Sequence, residues 1–179
     1  KSEFSNHIGN NNKWRPIGPF KVLKSGNPDY NGNYFASRQV NIYTIEQSKS
    51  NPSVIYAGGE TGGLYKSVDK ALTWKSVGDD SHSSSNILTI TIHPTNENIV
   101  YFSNNLGEIF KTEDGGNTWN VIYFLHDNRI EGIVISENDD NLILIAGSKG
   151  LYRTIDGGNT WTTILDDKCW DLKQKINDP

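Results

Sequence analysis

The chain has 179 residues, of which 35% are hydrophobic and 21% charged, about one domain on the usual ~100–200 residues per domain. Seventeen Lys and Arg against 21 Asp and Glu leave a net charge of -4; without a basic run, that field argues against nucleic acid as a partner. No apolar run approaches the ~20 residues of a membrane-spanning helix, and a single cysteine, Cys169, excludes an internal disulfide framework and a multi-thiolate zinc site.

In chain order, residues 1–12 are expected to be a flexible lead. Trp14-Arg15-Pro16-Ile17-Gly18 matches Trp74-Lys75-Ser76-Val77-Gly78 further on, so Trp14–Pro19 is predicted to be an outer strand, with Pro16 suited to an edge because it cannot donate to a ladder. Residues 24–37 form a long loop carrying Tyr30, Tyr34 and Phe35, and long loops in compact domains are often functional. Short runs rich in β-branched and aromatic residues follow, bounded by Gly, Asn, Asp and Pro. Strands are predicted at Val40–Ile45, Val54–Gly58, Leu64–Ser67 and Trp74–Val77, then at Ile87–His93, Ile99–Ser103, Glu108–Thr112 and Trp119–Phe124. A third set covers Ile130–Ser136, Leu142–Ala146, Leu151–Thr154 and Trp161–Leu165. Turns fall at Asn51-Pro52, His93–Asn96 and Asn138–Asn141.

Each set ends on a related octamer: Ser67-Val68-Asp69-Lys70-Ala71-Leu72-Thr73-Trp74, Thr112-Glu113-Asp114-Gly115-Gly116-Asn117-Thr118-Trp119 and Thr154-Ile155-Asp156-Gly157-Gly158-Asn159-Thr160-Trp161. The tryptophans recur at intervals of 45 and 42 residues. Four short strands per period of ~40–50 residues are the spacing of propeller blades. The octamer fits a tight hairpin between third and fourth strands. The carboxylates of Asp69, Asp114 and Asp156 accept backbone N–H bonds in their own turns, glycines such as Gly116 and Gly158 supply positive φ, and Trp74, Trp119 and Trp161 pack against the neighbouring layer. Three copies of one aspartate do not share one active site, so the role is structural. In the first copy Lys70-Ala71-Leu72 stands where the others have Gly-Gly-Asn, and that turn is expected to be distorted or stabilised from outside.

The octamer is identified as an Asp-box, or BNR repeat, and the chain from about residue 13 to 179 resembles Asp-box β-propellers of the sortilin and xyloglucanase type. Ile55-Tyr56-Ala57-Gly58-Gly59-Glu60-Thr61-Gly62-Gly63-Leu64-Tyr65-Lys66-Ser67 and Trp14–Pro19 look most like secreted bacterial propellers, as in type nine secretion cargo and cell-surface proteins of gliding bacteria. The resemblance implies an all-β fold: a propeller fragment with blades at about 38–78, 86–125 and 129–166, a closing strand donated near the N-terminus, and the first strand of a further blade at 169–179. Since rings usually need ~4–8 blades, the chain is expected to be the N-terminal part of a longer propeller, with the remaining blades as its partners. It also implies a secreted, cell-surface or periplasmic location, which accords with a sequence that begins at Lys1.

The residues offer little catalytic chemistry. His7, His82, His93 and His126 lack metal-ligand spacing, no calcium loop or phosphate loop occurs, and neither a cofactor nor a metal is implied. Glu60 falls where xyloglucanase-type enzymes carry a catalytic Asp, but glycoside hydrolysis needs a second carboxylate across the bond, which in those enzymes comes from another propeller. Glu60 is therefore a weak catalytic candidate. The leading expectation is a non-catalytic module that binds a protein partner or a cell-surface glycan through the second-to-third-strand loops and the blade-to-blade loops. Tyr30, Tyr34, Phe35, Glu60, Asn104, Asn105, Lys149 and Trp170 are its candidate binding residues. The alternative is part of a xyloglucanase-like glycoside hydrolase.

Overall fold

The computed structural model describes residues 41–60, 63–77, 86–126 and 128–173. The lead at 1–12, the Trp14–Pro19 strand and the loop residues Tyr30, Tyr34 and Phe35 lie outside the described residues.

The alternating and continuous apolar runs form twelve strands among the described residues: β1 (Ile42–Gln47), β2 (Ile55–Gly59), β3 (Leu64–Ser67), β4 (Lys75–Ser76), β5 (Ile87–His93), β6 (Asn96–Asn104), β7 (Glu108–Thr112), β8 (Asn120–Phe124), β9 (Ile130–Ile135), β10 (Ile143–Gly147), β11 (Gly150–Thr154) and β12 (Thr162–Leu165). They pair as three antiparallel four-stranded sheets, β1-β2-β3-β4, β5-β6-β7-β8 and β9-β10-β11-β12. The first strands β1, β5 and β9 lie side by side, so the sheets fan from a shared inner edge and stay unclosed, as a propeller fragment does. Most boundaries differ from the sequence expectation by one or two residues, β6 by three at its start, and two of the differences have a clear physical cause. β6 starts at Asn96 because Pro94-Thr95 closes a two-residue hairpin with His93 opposite Asn96. Each fourth strand starts one residue after its tryptophan, whose ring anchors the return of the chain.

Period-two alternation in the central strand β6 builds two cores. Val100 and Phe102 point into a cluster with Val54, Tyr56 and Leu64 of the first sheet. Tyr101 points the other way, into a cluster with Ile130, Ile133, Ile143 and Ile145 of the third. Such a strand, buried on both faces, reads in sequence as a continuous apolar run. Trp119 and Trp161 bind the second and third sheets each to the one before. Trp119 donates its indole N–H to the Val77 carbonyl at 2.8 Å and meets Phe102 edge-on at 4.8 Å. Trp161 stacks on Tyr123 at 5.0 Å. Gly58 allows the first two sheets to approach: a Cβ there would stand 2.5 Å from Ile87. The Tyr56 hydroxyl and the Lys66 ammonium both donate to the Gly115 carbonyl, at 2.9 and 2.8 Å, so the first sheet grips the second octamer turn.

The three octamer turns share one hydrogen-bond set. The hydroxyls of Ser67, Thr112 and Thr154 donate to the aspartate two residues on at 2.8, 2.7 and 2.7 Å. Each aspartate then accepts the backbone N–H of Thr73, Thr118 or Thr160 at 2.9, 2.9 and 2.8 Å. The first turn keeps its shape with a modest distortion and a hold from outside: Lys70, at φ 61°, follows Gly115 and Gly157 at 71°, while Ala71, at 65°, departs from Gly116 at 92° and Gly158 at 102°. The aspartate and hydroxyl bonds persist, the bonds from the Asn117 and Asn159 amides to the aspartate carbonyl have no counterpart at Leu72, and the Lys70 N–H donates to the Ser53 carbonyl at 3.1 Å. The aspartate and hydroxyl bonds dictate the backbone, and the side chains accept the left-handed region. Lys70→Gly is expected to raise stability by about 0.5–1 kcal/mol, the ~1–2 kcal/mol of left-handed strain less the entropy cost of glycine. A urea midpoint unchanged or lowered would contradict this.

These bonds hold the aspartates ionised. Thr73 and Ser67 bring Asp69 down to about 2, Thr154 and Thr160 do the same for Asp156, and Thr118 and Thr112 take Asp114 lower still. All lie below the ~3.9 of an unfolded aspartate. The stability they contribute is therefore complete above about pH 4 and is lost as pH falls through the folded values. Acid titration followed by tryptophan fluorescence should show unfolding between about pH 4 and 2, and Asp156→Asn should flatten it. Constant stability across that window would be the contrary result.

Candidate functional site

In each sheet the hairpin between second and third strands turns back beside the start of the first strand. The backbone N–H groups of Glu60, Asn105 and Ser148 donate to the carbonyls of Asn41, Asn86 and Arg129 at 2.9, 3.0 and 2.9 Å. One structural position thus repeats in all three sheets and forms a rim at one end of the inner edge. The octamer turns, which join third to fourth strands, lie at the opposite end of each sheet. Asp69, Asp114 and Asp156 are accordingly remote from this rim.

The rim brings Glu60, Asn105 and Lys149 to the same end. Glu60 accepts the Asn41 amide at 2.5 Å and the Tyr43 hydroxyl, and these neutral donors hold its carboxyl below the usual range. The same bond, assisted by burial, pushes the Tyr43 phenol up. Asn105 is exposed. The Lys149 ammonium donates to the His126 carbonyl at 3.3 Å, and the His126 ring lies on Phe124 at 4.0 Å. Asn104 is fully buried. Its Oδ1 accepts the N–H groups of Leu106 and Glu108 at 3.0 and 3.1 Å, and its amide donates to Glu108 at 2.6 Å, so its polar atoms shape the β6–β7 turn. Trp170 is 62% exposed with Lys168 Nζ 4.4 Å from its ring centroid; it joins the third sheet's part of the rim, because Cys169 N–H donates to the Gly147 carbonyl at 3.0 Å. Leu172 packs over Gly132, beside β9, where an inner strand of a further sheet would run.

Sequence reasoning missed Asn41, Tyr43, Arg129 and Asn128. Arg129 Nε lies 2.6 Å from Glu131 Oε1 and acts electrostatically on Tyr43. Buried Asn128 accepts the Ser148 hydroxyl and the Lys149 N–H at 3.0 and 3.1 Å, holding the third hairpin. Repeat alignment was the available signal: Tyr43 stands where the other sheets have Leu88 and Glu131. Among the described residues no group of three His, Cys, Asp or Glu gathers as a metal site, and no helix is long and apolar enough to cross a membrane.

No family model and no curated protein matches the chain. Solved structures do. An ancestral GH74 enzyme matches 73% of the chain at 17% identity with a TM-score of 0.63. The extracellular domain of a one-component system, BT4673 of B. thetaiotaomicron, matches 75% at 17% identity with a TM-score of 0.59. YCF48 bound to D1 peptide matches 70% at 18% identity with a TM-score of 0.57. The chain spans 19%, 19% and 40% of those proteins' own lengths. Likeness at this identity shows the fold, which is β-propeller-like.

Proposed function

We propose that the chain is a non-catalytic binding module of an exported bacterial protein, the N-terminal part of a longer propeller, and that it engages a protein partner or a cell-surface glycan through the hairpin rim. The turns are Asp-boxes, and the location is extracellular, cell-surface or periplasmic, with type nine secretion the export route. The observation that carries this reading is the rim itself: the three second-to-third-strand hairpins turn back beside the inner strands and bring Glu60, Asn105 and Lys149, with the exposed Trp170, to one end of the sheets. Two of the structural neighbours suit the same reading, one solved with a bound peptide and one an extracellular domain. Tyr30, Tyr34 and Phe35 are retained as binding residues beside Glu60, Asn105, Lys149 and Trp170, with Asn104 as their scaffold.

Membership of a xyloglucanase-like hydrolase is the second reading, favoured by the position of Glu60 at the start of the β2–β3 hairpin and by the GH74 likeness. Incubation with β-glucan polymers separates the two: neither the native chain nor Glu60→Gln is expected to release reducing ends. Hydrolysis by the native chain that disappears in Glu60→Gln would install the enzyme reading instead.

A further inference from the structure

The repeated rim position carries a different electrostatic solution in each sheet. In the third, Arg129, just before β9, and Glu131 within it neutralise each other at 2.6 Å. One repeat later, Lys173 Nζ lies 3.5 Å from Asp171 Oδ2, a pair at the same spacing with the charges exchanged. The first sheet has Asn41 and Tyr43 at these places. Its anion, Glu60, bonds two neutral donors and has no cation in ion-pair contact among the described residues. A carboxylate has about four acceptor sites, so Glu60 keeps unused ones facing solvent. Beside it Tyr43, the extra residue of a β-bulge between Ile42 and Thr44, is 48% exposed, and Ile45, two residues on, is 53% exposed.

We infer that Asn41, Tyr43 and Glu60 form a docking point for one lysine or arginine side chain of a protein partner. The cation meets the Glu60 carboxylate, and the Tyr43 ring supplies a π face beside it. The methylene stem lies along Tyr43 and Ile45, as long cationic side chains do on apolar surface. A sugar fits less well. Its hydroxyls require donors as well as acceptors, but one Asn41 amide hydrogen and the Tyr43 hydroxyl hydrogen are directed to Glu60, and Arg129 is engaged by Glu131, which leaves a site of mainly acceptor character. This assignment rests on the hairpin rim being the binding face, and it narrows the partner to a protein with an exposed basic residue.

The test is titration of the full chain with an end-blocked hexalysine peptide at low salt, read by calorimetry and by NMR shifts. The expected result is binding that perturbs Tyr43, Ile45 and Glu60. Glu60→Gln should weaken it by ~10-fold or more, as loss of one partner of a close charge pair does, while Glu60→Asp, which keeps the charge, should retain most of it. Glu113→Gln removes the same charge at the opposite end of the second sheet and should change affinity less than ~2-fold. Equal weakening by Glu60→Gln and Glu113→Gln, or no binding at all, would overturn the docking point. Cellohexaose perturbing Tyr43 and Glu60 where hexalysine does not would overturn it too, yet leave the rim as the binding face. Perturbations by both probes confined to residues away from the hairpins would remove both readings.

Discussion

Phe102→Ala is expected to destabilise the chain by about 3–5 kcal/mol, the usual cost of emptying a buried aromatic position. Phe102 is fully buried, lies 4.6 Å from Phe110 in a stacked pair and receives the edge of Trp119 at 4.8 Å. Its cavity would open between the first two sheets, where Val54, Tyr56 and Leu64 meet β6. Against a typical total of ~5–15 kcal/mol, such a loss leaves little margin. Equilibrium urea unfolding should show it as a lower midpoint, and a loss under about 1 kcal/mol would mean that the sheets relax to fill the space. Phe102→Leu should recover much of the difference, since it restores volume without the ring contacts.

Gly107→Ala is expected to cost about 3 kcal/mol or more, because two penalties coincide. The residue sits at φ +86°, and a Cβ there would stand 2.1 Å from the Leu125 carbonyl oxygen and 2.7 Å from that of Asn128. Both are backbone atoms and neither swings aside. The Gly107 carbonyl also accepts the Leu125 N–H at 2.9 Å, so the substitution would strain the β6–β7 turn and the link to the third sheet together. The rim near Asn105 and Lys149 should loosen at the same time. Faster amide exchange there than at the Asp114 turn would show it, and uniform exchange would speak against a local effect.

The strands were legible because burial imposes its own alphabet. β2, β10 and the second half of β6 are buried nearly throughout and read as largely apolar runs, and the octamer announced its hairpin through an aspartate, a hydroxyl and a tryptophan at fixed offsets. Repeat position alone was enough to assign Glu60, Asn105 and Lys149 to the corresponding hairpin of each sheet. Tyr43 was not, because nothing local distinguishes an inner-strand tyrosine that caps a carboxylate from one that fills a core. Asn104 illustrates the converse. Its place in an exposed turn suggested a free amide, yet the turn draws that amide inward to satisfy its own backbone.

The first octamer turn marks most clearly the line between the two kinds of information. Sequence by itself determined that a hairpin stands there, because Ser67, Asp69 and Thr73 carry the bonding groups wherever the chain takes that shape. It did not reveal that Lys70 and Ala71 would submit to positive φ, since that outcome balances local strain against bonds and packing that exist only once the sheets assemble. The period, the strand count and the all-β class follow in the same way from short-range chemistry repeated along the chain. Which side chains converge on the rim, and which of their charges find partners, was decided by tertiary structure: residues as distant as Glu60 and Arg129 meet one electrostatic environment only after the inner strands are laid side by side.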